Sequence, residues 1–405
     1  MAVKPIEIIV FSSLYPHLGE PTLGIFVENR LRNLVSDGRV KATVVAPIPW
    51  FPFGCRVFGK YGRMAMAPRK ETRDGIVIYH PRYLVLPKIG MRLTPYFMFL
   101  SARRCLERLI DGGLKPDIID AHYLYPDGVV ASKLGPYFGV PYTLTARGSD
   151  VTEIGQIPGP REEIVKAVGS AGHTITVSEN LRRDLIDMGT DGSKITTLRN
   201  GVELTRFRDM RTDNVSNHGQ RPIILFAGWL IPRKRLDLVL KVTALISNAT
   251  TVVAGDGPLR DELIEETRSM GIDQRVKFIG QVSPADMPEL YSSADVLILP
   301  SDREGCANVL LEAMACGTPV VARAIGAAPD LIKDRAGGIV VDSDQPEVLA
   351  RAVRQILADP PLRDDTRKFA CQFDWDTTTD GQIKIFESVL PAKKPQEGHD
   401  AGGKA

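Results

Sequence analysis

Cysteine is scarce in this 405-residue sequence, and its five copies do not have the spacing of a metal site. They are Cys55, Cys105, Cys306, Cys316 and Cys371. An odd, scattered set argues against a disulfide framework and favours a reducing compartment. Cys306 and Cys316 lie within apolar sequence, where a free cysteine packs as a small hydrophobic residue.

Other absences narrow the class of protein further. No apolar run reaches the roughly 18 residues of a membrane-spanning helix, and residues 1–11 lack the charged-then-apolar order of a signal peptide. We therefore expect a cytosolic protein. Lysine and arginine number 51 against 49 acidic residues, a net charge of +2. Without a sustained basic stripe, this balance argues against nucleic acid as a partner.

The sequence does contain a regular alternation of short, β-branched apolar segments with helical segments such as 24–36 and 91–110. The strands predicted in the first half are Ile6–Ser13, Val40–Pro47, Gly75–Arg82, Asp117–His122, Tyr142–Ala146, Thr174–Ser178 and Ile195–Leu198. Those predicted in the second half are Ile223–Ala227, Thr251–Ala254, Val276–Gly280, Asp295–Pro300, Val320–Arg323 and Gly338–Val341. Ser283-Pro284 has the signature of a helix start. This alternation predicts an α/β fold with parallel sheets covered on both faces by helices.

A polar segment divides this pattern into two halves. Residues 208–221 contain few apolar side chains and have the composition of a linker. We place the boundary near residue 205, which gives an N-terminal domain of residues 1–205 and a C-terminal domain of residues 206–376. Residues 391–405 have the composition of a disordered tail.

The strongest functional signal is the segment 300–319. A predicted buried strand opens into a polar loop, and a helix follows, with Asn308 as a candidate cap and Gly317 before Pro319 as its end. In doubly wound sheets, ligands bind beyond the carboxyl ends of the strands. Free backbone N–H groups at a helix start also attract phosphate. We therefore expect a ligand at this loop.

Glu312 is anomalous because it is the only charge between Val309 and Val321, in sequence that should be buried. A buried carboxylate needs strong hydrogen-bond donors, and the two vicinal hydroxyls of a ribose would serve. The alternative is that Glu312 caps a neighbouring backbone or pairs with a lysine. Glu304 lies eight positions earlier, on the loop, where a bound sugar could reach it.

Glu304, seven intervening residues and Glu312 together resemble the signature of the family-4 retaining glycosyltransferases of GT-B fold. Further segments match this family in order and spacing: Asn200–Glu203 with Phe207, Ala254–Pro258, Phe278–Gly280 and Tyr291–Asp295. The resemblance implies two Rossmann-like domains facing a central cleft, with a last helix near 377–390 crossing back to the first. It also implies a metal-independent enzyme that moves a sugar from a nucleoside diphosphate with retained anomeric configuration.

The resemblance also implies roles for charged residues of the second half. Glu304 would face the hydroxyls of the donor sugar, Glu312 would hold the ribose, and Lys234 would meet the diphosphate. A fixed cation there stabilises the charge that the leaving nucleotide gathers. Arg233 is a candidate to share this role, because Trp229 stands where the family usually has an arginine. The alternative is a solvated helix start at residues 233–235.

In the first half, Gly19 and Gly24 lie on the loop that, in the family, approaches the donor phosphate and the acceptor; a simple turn is the alternative. His122 ends a strand and resembles the family's histidine-bearing segment, which makes it a candidate catalytic residue with Glu304 and Lys234. An isolated histidine is otherwise more often structural. Arg147 stands where many relatives carry histidine, and a fixed cation or an acceptor clamp fits it. The remaining predicted donor-binding residues are Gly201, Gly228, Gly257, Gly305, Asn308 and Val309.

The expected partners follow from the same resemblance. We expect a UDP- or GDP-linked donor, no cofactor and no metal; Asp342-Ser343-Asp344 precedes a helix and is interpreted as its cap. The expected acceptor is a glycan or lipid-linked glycan of cell-surface polysaccharide, as in exopolysaccharide or teichuronic-acid-type transferases. Residues 82–104 mix basic, aromatic and aliphatic side chains, which suits either an anionic membrane surface or a core helix with a basic edge. The alternatives are an epimerase-like GT-B enzyme and a non-catalytic nucleotide-sugar-binding partner of an assembly complex.

Overall fold

A computed structural model of the chain describes residues 4–55, 57, 59–85, 90–211 and 221–391. The predicted disordered tail after Pro391 and residues 212–220 of the predicted linker lie outside the described residues. Strands of the first half are β1 (Ile6–Phe11), β2 (Val40–Val45), β3 (Ile48–Pro49), β4 (Lys70–Arg73), β5 (Ile76–Tyr79), β6 (Arg82–Tyr83), β7 (Ile118–His122), β8 (Tyr142–Ala146), β9 (His173–Thr176) and β10 (Ile195–Thr197). Strands of the second half are β11 (Ile223–Ala227), β12 (Thr250–Ala254), β13 (Val276–Gly280), β14 (Val296–Leu299), β15 (Val320–Arg323) and β16 (Gly338–Val341).

Helices fill the intervals between these strands. In the first half they are α1 (Ile25–Ser36), α2 (Gly59–Ala65), α3 (Gly90–Asp111), α4 (Val129–Phe138), α5 (Ser149–Thr152), α6 (Pro160–Ser170) and α7 (Glu179–Asp187). In the second half they are α8 (Leu236–Leu245), α9 (Arg260–Ser269), α10 (Met287–Ser293), α11 (Asn308–Ala315), α12 (Ala328–Leu331), α13 (Pro346–Ala358), α14 (Arg363–Ala370) and α15 (Trp375–Val389). None of the helices in the described ranges is long and apolar enough to cross a bilayer.

Each half builds a doubly wound sheet. The first has eight strands in the order β10-β9-β8-β7-β1-β2-β5-β4, and the second has six in the order β13-β12-β11-β14-β15-β16. The strand pairs are parallel except that β4 runs antiparallel to β5. The strand order reverses between β1 and β7 and between β11 and β14, and such reversals open the ligand crevice of Rossmann-like sheets. The predicted α/β fold with two Rossmann-like sheets is confirmed.

The central strands read as largely apolar runs because helices cover both faces of each sheet. All four residues of β14 are buried, as are the last four of β1. β10 ends at Thr197 and β11 begins at Ile223, so the boundary predicted near residue 205 falls in the connection between the sheets. Its position stays a prediction.

The last helix returns to the first sheet. The Asp374 carboxylate accepts from the Thr377 backbone N–H at the start of α15, which supplies a partner for an otherwise unpaired donor. Ile383 and Phe386 of α15 are buried in one core cluster with Leu31 of α1. Helix α15, which follows the second sheet in the chain, therefore completes the core of the first domain.

Some local predictions were wrong. β4 and the small β3–β6 sheet were missed, because the Lys70–Arg73 strand has no apolar residue and β3 and β6 have only two residues each. The helix assigned to Ser283-Pro284 begins later, at Met287, and the Ser283 hydroxyl bonds to the Asp286 carboxylate 2.7 Å away.

The acidic pair at Asp342 and Asp344 does not cap α13. That helix begins at Pro346 after Gln345 and has no side-chain cap. The Ser343 hydroxyl instead accepts from the Gln345 N–H over 3.1 Å. The described residues contain no group of three or more histidine, cysteine, aspartate or glutamate side chains placed to hold a metal ion.

Candidate active site

Lys234 and Glu304, which the sequence assigned to separate parts of a donor, form an ion pair. Lys234 ends a short 3₁₀ turn after β11, and Glu304 lies on the loop after β14. These strands are neighbours at the switch point of the second sheet, so their following loops meet. The Lys234 Nζ lies 2.5 Å from Glu304 Oε1, with the side chains 14% and 11% exposed. A short charge-assisted bond in this setting is strong.

Glu312 lies on α11 and has a partner that was not predicted. The Tyr291 hydroxyl donates to Glu312 Oε2 over 2.8 Å. Burial raises the pKa of Glu312, while the Tyr291 hydrogen bond opposes that shift. Among the described residues, neither a lysine nor a backbone N–H bonds to this carboxylate. Its second oxygen is available to a ligand.

Two cavities meet at Glu312. One, of about 550 Å³, is lined by Gly228, Gly257 and Val309 together with Glu312. The other, of about 470 Å³, extends between the domains and includes Gly201 and Glu312. Their volumes are in the range of small-molecule sites. Glu312 therefore lies where a ligand that fills the first cavity would enter the interdomain space.

A third cavity, of about 370 Å³, lies between the two sheets and contains cations from both sides. Arg147 lines it from the first half, and Arg233, Glu304, Gly305 and Asn308 line it from the second. Arg233 is exposed, and its Nη1 donates to the Arg303 carbonyl over 3.3 Å. Three of the predicted charged residues, Arg147, Arg233 and Glu304, thus line one interdomain cavity.

A chain of buried hydrogen bonds runs from the first sheet into α11. His122 lies with Nε2 3.1 Å from Asp120 Oδ2, and Arg147 Nη2 donates to His122 Nδ1 over 2.6 Å. Arg147 Nη1 donates to Asn200 Oδ1 over 3.1 Å, and Asn200 Nδ2 donates to Asn308 Oδ1 over 3.0 Å. Asn308 was predicted to cap α11. It lies in the first turn instead, makes no cap bond and joins the two domains.

Both ring nitrogens of His122 are occupied. Because Nδ1 accepts from a guanidinium, the proton lies on Nε2 and is donated to Asp120. Burial lowers the pKa of His122 to about 4, with Asp120 opposing that effect and Arg147 adding to it. The imidazole is therefore neutral at physiological pH. It lies behind Arg147, and Arg147 is the member of this pair that lines the interdomain cavity.

The guanidinium of Arg147 is desolvated but charged. Burial, and next the neighbouring Arg30, lowers its pKa to about 9. It lies over the Phe26 ring, 5.3 Å from the centroid. Its Nε is buried and has no hydrogen-bond partner among the described residues. A cation held in this way binds an anion more strongly than an exposed one would.

The predicted glycines of the second half permit close backbone approaches at these cavities. A Cβ atom at Gly305 would overlap the Arg147 carbonyl oxygen of the other domain. Gly257 has φ +159°, and a Cβ there would lie 2.5 Å from the Leu230 carbonyl oxygen. A Cβ at Gly228 would make only ordinary van der Waals contacts, the nearest with Phe226 at 3.7 Å. Gly305 and Gly257 therefore need glycine for steric reasons, and Gly228 does not.

The other predicted glycines are required by backbone conformation or by close packing within the fold. Gly24 has φ +64°, caps α1 and packs on Leu14. A Cβ at Gly19 would overlap the Arg63 carbonyl oxygen, and one at Gly201 would lie 2.7 Å from the Trp375 backbone at the start of α15. Folding of the domains accounts for these three positions. Their donor contacts stay predictions.

Sequence reasoning missed polar residues that complete the site. Gln382 of α15 donates from Nε2 to Asp120 Oδ2 over 2.8 Å and accepts from Arg30 Nε over 2.6 Å. Asp127, which follows β7, accepts from the Ser13 backbone N–H over 2.5 Å. No sequence signal linked Gln382 to residues more than 250 positions away. Asp127 lies five positions after His122 and could have been found from the strand end alone.

Comparison with known families agrees with this architecture. The model described as Glycosyltransferase Family 4 matches residues 26–206, and the model described as Glycosyl transferases group 1 matches residues 209–373. Two Rossmann-like sheets whose switch points face a shared cleft have the GT-B arrangement. The chain belongs to the family-4 glycosyltransferases of GT-B fold, as its motifs indicated.

Individual relatives cover most of the chain. A D-inositol 3-phosphate glycosyltransferase of Salinispora arenicola is 29% identical over 316 residues, which are 69% of this chain and 70% of that protein. A Bacillus subtilis protein, provisionally named as the teichuronic acid biosynthesis glycosyltransferase TuaC, is 26% identical over 382 residues, which are 91% of this chain and 95% of that protein.

Solved structures show the same fold. Sucrose-phosphate synthase of Thermosynechococcus elongatus has a TM-score of 0.77 at 18% identity, and covers 95% of this chain and 99% of its own. Anabaena HepE, solved in complex with UDP, has a TM-score of 0.71 at 18% identity, and covers 95% of this chain and 100% of its own.

Proposed function

We propose that this glycosyltransferase takes a sugar from a nucleoside diphosphate and transfers it, with retained configuration and without a metal ion, to a glycan or lipid-linked acceptor of cell-surface polysaccharide. The observation that carries the donor assignment is that Glu304, paired with Lys234, lines one cavity beyond the carboxyl ends of β11 and β14, and that Glu312 lines another. The UDP bound by the structural neighbour HepE supports the same donor class.

The residues that line the cavities suggest an order for the parts of the donor along the site. The nucleoside occupies the cavity beside Gly257 and Val309, and its ribose hydroxyls donate to Glu312. The diphosphate lies beside Lys234, and the sugar points into the interdomain cavity near Glu304. An ammonium carries three N–H donors, so Lys234 can hold Glu304 and a phosphate oxygen together.

Glu304 and His122 are both already bonded to neighbouring side chains, which favours a same-face reaction. In such a reaction the acceptor attacks the sugar from the side on which the diphosphate leaves. Glu304 is held by an ammonium 2.5 Å away, which weakens it as a nucleophile. His122 has no free ring nitrogen to act as a base. On the same-face route, the bond from the anomeric carbon to the diphosphate breaks as the acceptor oxygen bonds from that side. The departing phosphate oxygen takes the acceptor proton, so no dedicated base is needed.

Arg147 and His122 then act on the acceptor side. Arg147 presents a desolvated charge to the interdomain cavity, and His122 and Asp120 hold its orientation. This arrangement suits an acceptor or leaving group that carries negative charge in the transition state. The acceptor class rests on the Bacillus subtilis relative named for teichuronic acid biosynthesis.

The test is a thermal-shift screen of UDP- and GDP-sugars, followed by proton NMR of the product from the best α-linked donor in the presence of EDTA. We expect an α-linked product and full activity without metal. A β-linked product would contradict retention, and loss of activity with EDTA that Mg²⁺ restores would contradict metal independence. A nucleotide sugar that binds but is never turned over, with or without acceptor, would favour the non-catalytic alternative.

A further inference from the structure

A separate cavity, of about 620 Å³, lies on the outer side of the first domain between α3 and the β5–β6 connection. Its inner wall is apolar and is formed by Tyr83, Leu84, Phe97, Leu100 and Leu109. None of the residues assigned to the donor or to Arg147 and its partners lines it. It therefore needs an explanation other than the transfer reaction.

Cationic side chains surround this apolar wall. They are Arg69, Lys70, Arg82, Arg104 and Arg108. No aspartate or glutamate of the described ranges lines the cavity. The chain as a whole has a net charge of only +2, so this excess of positive charge is local to the cavity and does not reflect the overall composition.

These cations lack anionic partners. The side chains of Arg69, Arg104 and Arg108 make neither a hydrogen bond nor an ion pair within the described residues. Lys70 lies over the Tyr79 ring, 5.4 Å from its centroid. Arg82 donates only to backbone carbonyls, including that of Met64 over 3.2 Å. Like charges gathered without carboxylates repel one another, and a bound anion would relieve that repulsion.

The surroundings of the cavity are unusually apolar for exposed surface. Trp50, on its rim, and Tyr96, on α3, are each 54% exposed. Leu84, which lines the cavity, is also exposed, as are Met91 and Leu93 in the first turn of α3. Aromatic side chains next to basic ones are typical of surfaces that lie at the boundary between headgroups and acyl chains.

We infer that this cavity docks the protein on an anionic bilayer, with lipid phosphates held by the five cations and acyl chains contacted by Trp50 and the apolar wall. A phosphate alone would use the cations but not the apolar wall, which is why the lipid is the occupant we choose. The site lies on the domain that carries Arg147 and thus on the acceptor side. The inference goes beyond the proposed function and does not require it.

The test is flotation of the purified full-length protein with vesicles of phosphatidylcholine alone or mixed with phosphatidylglycerol. We compare the wild type with the double variant Arg104→Gln, Arg108→Gln. A matched control, Arg268→Gln with Lys368→Gln, removes two charges from exposed sites of the second domain, where these side chains are 64% and 77% exposed. Affinity for UDP and GDP and the thermal midpoint show whether each variant stays folded.

We expect binding only to the anionic vesicles, weakened by salt. Each removed charge should lower the partition coefficient about fivefold, so the cavity variant should lose roughly 25-fold and the control almost nothing. A change in tryptophan fluorescence on binding should disappear in Trp50→Phe. Equal binding by both double variants, or no binding to anionic vesicles, would overturn the inference. So would equally tight calorimetric binding of free glycerol 3-phosphate, since the site would then recognise a soluble phosphate.

Discussion

Two partly buried carboxylates of the second domain each have one internal partner. Glu312 would be costly within the apolar helix α11 without a donor, and the Tyr291 hydroxyl supplies only one. Glu304 is similarly held by Lys234. Each group therefore has one internal contact that fixes its position and remaining capacity for a ligand.

Replacing Glu312 with glutamine should weaken binding of the donor nucleotide by about 1–3 kcal/mol, because charge-assisted hydrogen bonds to the ribose become neutral. Isothermal calorimetry with the nucleotide identified by the screen measures this loss. Glu289→Gln makes the same chemical change on the exposed side of α10 and serves as the control. Equal affinity of the Glu312 variant and the wild type would refute the ribose assignment.

Lys234→Ala should chiefly lower kcat, because the charge that it meets grows as the diphosphate leaves. The substitution also leaves the partly buried Glu304 without its cation, so a second variant is needed. The double variant Lys234→Met, Glu304→Gln removes both charges, and activity restored in it would mean that Lys234 only neutralises Glu304. Lys241→Ala, at a 47% exposed site on α8, is the control.

Asp127 gives the stability a dependence on pH. Burial raises its pKa from an ordinary 3.8 to about 7, against the hydrogen bonds from Ser13. The folded state thus holds an extra proton between these values, and the stabilisation present below about pH 4 is lost as the pH rises to 7.

Asp127→Asn should therefore gain free energy of unfolding relative to the wild type between pH 4 and 8, by up to about 4 kcal/mol at 1.4 kcal/mol per pKa unit. Urea unfolding at several pH values measures it. The variant is compared with the wild type at each pH so that the effect of His122 cancels. The pKa of His122 is lowered to about 4, so between about pH 6.5 and 4 its effect on stability is opposite in sign to that of Asp127. A difference independent of pH would mean that Asp127 is ionised throughout.

At the scale of elements, helix α15 positions the first domain's charged residues. Gln382 bridges Arg30 and Asp120, and Asp120 in turn orients His122. The sequence predicted that a last helix would cross back, from family resemblance. It could not predict Gln382, since a polar residue in an amphipathic helix carries no sign of which distant side chain it faces.

Gln382→Leu should destabilise the fold by about 1–3 kcal/mol, because Arg30 and Asp120 each lose a buried partner. We also expect a lower kcat with nucleotide affinity unchanged, since Arg147 loses its support through His122. Chemical denaturation and steady-state kinetics test both parts. Gln372→Leu, at an exposed position before α15, should change neither. Loss of stability with an unaltered kcat would restrict Gln382 to a structural role.

At the scale of the whole molecule, the two domains meet through backbone as well as side chains. Gly305 packs directly on the Arg147 carbonyl, and Asn200 links Arg147 to Asn308. This contact needs a residue without a Cβ on one side. The interdomain cavity is thus bounded by parts of both sheets.

Gly305→Ala should push the domains apart, since its Cβ would overlap that carbonyl. We expect a larger radius of gyration by small-angle X-ray scattering and a kcat reduced roughly 10- to 100-fold, because small misplacements of reacting groups are costly. Gly169→Ala is the control, because nothing lies within 4 Å of its Cβ position. An unchanged scattering curve with normal kcat would show that the domains do not need this approach.

The sequence alone determined the alternation of strands and helices, the carboxyl-end loops that carry Lys234 and Glu304, and the helix that carries Glu312. Apolar periodicity and glycine turns are local properties, so they are legible in a single sequence. The tertiary structure alone decided which of these groups pair. Lys234 and Glu304 are 70 positions apart, and Gln382 meets Asp120 across 262. Contacts of this kind arise from how sheets and the returning helix pack, and no local pattern records that geometry.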